Sequence, residues 1–250
     1  MLGIKRKIKT AVGRIPVHRR YCPLCGKYSL CFMSFGHKSE VFHEIQIIGG
    51  GFRHDCTCPH CRSRDRFRWS WYVLFNYTDM FQKKCSVLHI APEPQIANKI
   101  RRVYQDIDYI TGDLNKHYTD MAVDVTAMPF PDQRFDFMIL NHVLEHVPDE
   151  EKAMEEIKRV LKPHGKLCLS VPISPDRKTF GDPNVTSEQE RLRLYGQTDH
   201  CRVYGTDAKE HFESFGFRLT QYTPEECAAP EVIEKWGLIP NDIVFVCEKM

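Results

Sequence analysis

"DVTAMPFPDQRFDFMILNHVLEHVPDEEKAMEEIKRVLKPHGKLCLSVP", residues 124–172, is the stretch from which the architecture can be read. FDFMILN (135–141) and KLCLSV (166–171) are apolar runs of strand length. Between them, DEEKAMEEIKRVLKPHG has acids in its first helical turn and bases in its last, with Pro163 and Gly165 as a stop. Strand, helix and strand, with nearly unbroken apolar strands, predict a parallel sheet covered on both faces.

The alternation extends outward. VLHIA (87–91), DYITG (108–112), AVDV (122–125), FRLTQY (217–222) and DIVFVC (242–247) read as further strands, with helical patterns near 93–105, 149–162 and 207–215. Ligands of such sheets bind beyond the strand C-termini. Asp113 follows the second strand, suited to a ribose diol. Asp124 lies at the third, suited to an adenine amino group, and Asn141 and His142 follow the fourth. A lone acid at a strand end is more often a helix cap than a ligand, so it is the ordered series that points to a nucleoside. The first loop, Ala91-Pro92-Glu93-Pro94, has none of the glycines usual there. Either it holds a cofactor in another way or the cofactor has been lost.

Composition is that of an ordinary soluble protein: 250 residues, 42% hydrophobic, 27% charged, mean hydropathy −0.42. No apolar run approaches the roughly 18 residues of a membrane-spanning helix. The net charge of +2 hides an asymmetry, because residues 1–68 carry fourteen Lys and Arg against four Asp and Glu. The remainder has the opposite balance, which suggests two regions with different partners. Four segments are expected: a basic tail or amphipathic segment (1–20), a zinc-ribbon-like module (21–64), a connecting helix (65–84) and an α/β domain (85–250).

In the first segment Ile4, Ile8, Val12 and Ile15 share a helical face opposite Lys5, Arg6 and Lys9. It reads either as a basic helix lying on an anionic membrane or nucleic acid, or as a solvated tail. Six of the eleven cysteines fall between Cys22 and Cys61, four of them in two Cys-Pro-x-Cys turns. Two such turns supply the four thiolates zinc prefers, so Cys22, Cys25, Cys58 and Cys61 are the expected ligands of a structural Zn2+. Cys31, Cys56 and His54 are spares, and VFHEIQII between the turns reads as a strand. The cysteine pattern and the lack of a secretory leader pattern suggest a reducing compartment, hence cytoplasm, peripheral to the inner membrane face if the tail binds there. Next, Phe67, Trp71, Leu74 and Phe75 form a helical stripe suited to docking the module on the larger domain. Arg62 and Arg66, a turn apart, read as a solvated face or as phosphate contacts.

The quoted stretch resembles class I S-adenosylmethionine-dependent methyltransferases of the type 11 group, and the resemblance covers about residues 85–250. The cysteine pairs, LHIAPEP and GQTDHCRVYG (196–205) further resemble a bacterial, zinc-ribbon-bearing subgroup, some of whose members accompany polysaccharide synthesis. The resemblance implies a Rossmann-like sheet of seven strands, the last antiparallel, with S-adenosylmethionine contacted by His89, Ala91, Glu93, Asp113, Leu114, Asp124, Val125 and Asn141. Its methionine part needs no phosphate cradle, and Glu93 is placed to meet its ammonium.

Methyl transfer to a hydroxyl needs positioning and a base or metal. The catalytic candidates are His142, Glu145 and His146 after the fourth strand, with His200 and Tyr204 in a long segment after the fifth that is suited to a lid over the acceptor. Glu145 and His146 serve either to orient their loop or, with His142 and His200, to hold a divalent ion; His200 alone as base is a further option. His142, Glu145 and His146 also spell the H-x-x-E-H of inverted zinc proteases, a reading opposed by their place at a parallel strand end. The expected function is methyl transfer to a hydroxyl of a saccharide or other small metabolite. Methylation of RNA bound by the basic module is the alternative, and a non-catalytic binding module with a degenerate loop is a third reading.

Overall fold

A computed structural model describes residues 19–36 and 38–250. The stripe Ile4–Ile15 lies outside the described residues. The chain builds a seven-stranded sheet from β5 (Ser86–Ile90), β6 (Asp108–Asp113), β7 (Met121–Ala122), β8 (Phe135–Asn141), β9 (Leu161–Ser170), β12 (Phe217–Tyr222) and β13 (Val244–Lys249). The order is β12-β13-β9-β8-β5-β6-β7, and β13 runs antiparallel to both neighbours. From β5 the chain steps outward to β6 and β7, then returns to the other side of β5 as β8. The strand order therefore reverses between β5 and β8, where an open α/β sheet leaves a crevice for a ligand.

Side-chain alternation divides each central strand between two cores. Met138 and Leu140 of β8, Leu88 and Ile90 of β5, and Leu167 and Leu169 of β9 face α4 (Glu150–Val160) and α6 (Ala208–Glu213). Phe137, Ile139, Val87 and Cys168 face α2 (Asp65–Tyr77) and α3 (Pro94–Val103). Both faces are covered, so polar alternation is absent from these strands.

The N-terminal module has two small hairpins. β1 (Arg20–Cys22) pairs with β2 (Lys27–Ser29), and β3 (Met33–Phe35) with β4 (Arg53–Thr57). Its Cys22, Leu24, Phe32 and Cys58 belong to the same core as α2 and α3. Between β3 and β4, VFHEIQII is not a strand. Glu40–Glu44 form a short helix, α1, capped by the Ser39 side chain, and its Phe42 joins Ile45, Tyr195 and Val203 in a separate small core. Burial at a spacing of three selects the helix here.

Three further expectations are corrected. α2 stops at Tyr77 rather than running to residue 84. Its buried side includes Arg68, Trp69, Val73 and Leu74 along with Trp71, while Phe75 of the expected stripe is 51% exposed. α4 ends at Val160, before Pro163, because Leu161 already pairs with Phe135 in the sheet. The segment after β9 contains β10 (Phe180–Gly181), α5 (Glu188–Tyr195) and β11 (Arg202–Val203); α7 (Pro224–Cys227) and α8 (Pro230–Trp236) precede β13. No helix among the described residues is long and apolar enough to cross a membrane.

The module, α2 and the end of α8 meet at Arg68, which is fully buried. It donates to the carbonyls of Ser63, Cys56, Trp236 and Gly237. Arg68→Met leaves those carbonyls without their donor, and urea denaturation is expected to show a loss of about 3 kcal/mol or more. Wild-type stability in that variant would show that the ties contribute nothing net.

Candidate active site

The first loop turns without glycine because Ala91 itself takes a left-handed backbone (φ 46°), and its N–H donates to the Gly112 carbonyl. Pro92 follows, and Pro94 starts α3. Glu93 does not point into open space: its carboxylate is buried against His89 Nε2 at 3.0 Å, and His89 Nδ1 meets the Tyr109 hydroxyl at 2.7 Å. The carboxylate expected at a cofactor ammonium thus has an internal partner in His89, itself fully buried.

Asp113 closes β6 and accepts from the Asn115 N–H at 2.9 Å. Leu114 beside it is 77% exposed. Asp124 is exposed and accepts from both the N–H and the hydroxyl of Thr126, which hold its carboxyl below the usual range. Val125 is buried in the core. At the end of β8, Asn141 Oδ1 accepts from Ser170 and Ser70, while its buried Nδ2 has no partner.

His142 follows in a left-handed conformation (φ 55°), with its N–H on the Ser170 carbonyl. Its Nδ1 lies 3.1 Å from Glu145 Oε1. Burial drives this pair toward neutrality, holding His142 well below its ordinary value and pushing Glu145 up to about 8. Glu145 Oε2 is buried without a partner. His146 Nδ1 is 3.2 Å from Asp199 Oδ2, and its ring meets His200 edge-on at 4.7 Å. Glu145, His146 and His200 bring ligand atoms within 4.8 Å of one another, a set able to hold a cation.

Tyr204 does not join them. Its hydroxyl donates to Glu150 in the interior, and burial raises it well above its ordinary value. Arg202 donates to the carbonyls of Leu144, Val147 and Pro148, so it shapes the loop after β8 from outside.

A cavity of about 320 Å3 opens in front of His142, Glu145, His146 and His200. Its opposite wall is the N-terminal module: Phe35, the Gly50–Gly51 turn, Arg53, Arg64 and Arg66. Of that wall the sequence reading named only Arg66, with Arg62, as a solvated face or a phosphate contact. Its one signal was the run of arginines from Arg62 to Arg68.

Farther along the module, the four expected cysteines converge. Cys22 Sγ is 3.6 Å from Cys61 Sγ, Cys25 Sγ is 3.8 Å from Cys58 Sγ, and all four lie within 4.8 Å. Thiolates about 2.3 Å from a tetrahedral ion lie roughly 3.8 Å apart, so the cluster is compatible with zinc. The two turns match: Gly26 N–H bonds the Cys22 carbonyl and Arg62 N–H the Cys58 carbonyl, both in left-handed conformation. The spares stand aside, with Cys56 Sγ donating to the Arg53 carbonyl and His54 beside Ser34.

Residues 76–169 match the methyltransferase domain family. The matched domain spans β5 to β9, including every strand end described above. An uncharacterized methyltransferase of Schizosaccharomyces pombe is 25% identical over 160 residues, 60% of this chain and 55% of its own. An uncharacterized protein of Methanocaldococcus jannaschii is 35% identical over 38% of this chain and 44% of its own. A demethylmenaquinone methyltransferase of Renibacterium salmoninarum is 37% identical over 32% and 28%. The chain thus spans only about half, or less, of the length of these curated relatives. Among solved structures, the [4+2]-cyclase SpnF superposes with a TM-score of 0.50 at 14% identity, covering 73% of this chain and 80% of its own. That likeness concerns the fold alone.

Asp242 lies behind the arginine wall. Burial, helped by nearby Asp65, pushes its carboxyl up to about 7. The native state then holds this proton more tightly than the unfolded chain, whose value is about 3.9. Its contribution to stability is present below about pH 4 and is lost as pH rises through 7. Asp242→Asn removes that loss, so the stability difference, variant minus wild type, is expected to grow by a few kcal/mol between pH 4.5 and pH 8. A pH-independent difference in urea denaturation would count against the shift.

Proposed function

We propose that the protein is an S-adenosylmethionine-dependent methyltransferase acting on a hydroxyl of a saccharide or other small metabolite. One observation carries this: the methyltransferase-domain match falls on the sheet whose order reverses at β5 and β8, with Asp113, Asp124 and Asn141 at the surrounding strand ends. The residues fit the cofactor. Asp113 and Asp124 present carboxylates to a ribose diol and an adenine amino group, and Asn141 Nδ2 is a donor lacking an acceptor. Ala91 supplies the left-handed turn that glycine usually provides.

S-adenosylmethionine supplies an electrophilic methyl group when bound. The chain must orient the acceptor and take its proton. Asp199 holds His146 Nδ1, which leaves Nε2 as the nitrogen for the hydroxyl proton. The neutral His142–Glu145 pair positions the loop that carries His146. A divalent ion held by Glu145, His146 and His200 is the second reading, favoured by their convergence. Transfer that persists in EDTA, with zinc retained in the cysteine cluster, leaves His146 as base. Transfer restored only by a divalent ion assigns the three side chains to it.

Calorimetric titration tests the main reading. S-adenosylmethionine is expected to bind with a Kd on the order of 10 µM, weakened at least about tenfold by Asp113→Ala. Absence of binding to the folded wild type would overturn the reading in favour of a binding module.

We infer further that Cys22, Cys25, Cys58 and Cys61 hold a structural zinc, since four protein thiolates leave no open position for substrate. Metal analysis should find about one zinc per chain, lost in Cys58→Ser together with a lowered Tm. A zinc-free wild type of unchanged Tm would refute it.

A further inference from the structure

The cavity beside the histidines has a charge pattern that methyl transfer to a neutral hydroxyl does not require. Arg53, Arg64 and Arg66 share one wall. Arg53 Nε is 2.8 Å from Asp65 Oδ2, so that cation is paired. Arg66 is not: it gives one N–H to the Gly49 carbonyl, and its buried Nε has no hydrogen-bond partner. The Arg64 guanidinium carbon lies over the Phe35 ring, 3.7 Å from its centroid. Neither Arg64 nor Arg66 forms an ion pair with a carboxylate among the described residues.

Bringing three guanidinia together out of water is unfavourable. Desolvation and mutual repulsion lower Arg64 to about 10 and lower Arg66 too. The nearby acids do not cancel the charge. Asp65 is paired with Arg53, and neither Glu145 nor Asp242 stands within ion-pair distance of Arg64 or Arg66. The wall is therefore cationic at neutral pH. Planar guanidinium forks match the oxygens of a carboxylate or phosphate.

We propose that Arg64 and Arg66, beside the paired Arg53, bind an oxyanion, a phosphate or carboxylate carried by the methyl acceptor, so that the substrate is a small acidic metabolite. This rests on the methyltransferase reading and narrows its substrate class. About 320 Å3 is the size of a small-molecule site. The anion is assigned to the acceptor because Asp113, Leu114, Asp124 and Val125 are not among the residues lining this cavity, whereas His146 and His200 are.

The test uses the full, zinc-loaded chain with inorganic phosphate and, separately, 13C-labelled acetate, titrated by NMR at constant ionic strength. At least one probe should saturate with a Kd on the order of 1 mM. Arg64→Gln/Arg66→Gln should weaken it about tenfold or more, while S-adenosylmethionine affinity stays within about twofold. Should the double variant fold poorly, Arg64→Gln alone, which loses the cation lying on Phe35, should weaken the anion about threefold. If neither probe saturates, or the variants bind as wild type does, the proposal falls. Loss of S-adenosylmethionine affinity in the variants overturns it too, giving the arginines to the cofactor's own carboxylate. A wild type that binds phosphate yet not S-adenosylmethionine fails the methyltransferase reading, and the acceptor assignment with it, while the anion site stands.

Discussion

Arg68 places a full positive charge in the interior, where a charge is tolerated only if its N–H groups find acceptors. They find four carbonyls, two of them in the second cysteine turn and the strand before it, two at the end of α8. The guanidinium also lies over the Phe32 ring, 4.4 Å from its centroid. One side chain thus joins the module, the helix after it and a segment 168 residues further on. The cavity between module and sheet depends on this joint. Arg64 and Arg66 stand one turn or less before Arg68 on the same stretch of chain, and they face the histidines only because the joint fixes that stretch.

The fold was legible where burial is uniform. Strands such as FDFMILN are apolar on both faces because helices cover both, and that leaves an unbroken run in the sequence. Legibility failed where the deciding partner is remote. VFHEIQII has strand-like composition, yet Phe42 and Ile45 turn together toward Tyr195 and Val203, about 150 residues later, and only a helix allows it. Likewise Pro163 looks like the stop of α4, but the real stop is the pairing of Leu161 with Phe135.

The candidate site divides in the same way. The cysteine set could be read because each turn encodes its own geometry over four residues, and the structure brings all four sulfurs together. Asp113, Asp124 and Asn141 could be named because a strand end locates them. Glu93 and Tyr204 could not be placed from sequence. Each is a polar side chain whose partner, His89 or Glu150, is chosen by burial. The arginine wall stayed open between two readings: a basic run facing solvent and a basic run facing a cavity have the same composition, and only the fold of residues 20–68 against 142–200 separates them.

The glycine-free first loop has a consequence for kinetics and order. Glycine there would let the unfolded and free chains sample many backbone states; Ala91, Pro92 and Pro94 remove most of them in advance. The left-handed turn at Ala91 costs some strain, which the hydrogen bond to Gly112 and the buried His89–Glu93 pair offset. The loop is therefore stiff before any ligand arrives. A molecule entering the crevice meets a surface already in shape, so little ordering entropy remains to be lost on docking, and selectivity there comes from fit rather than from closure.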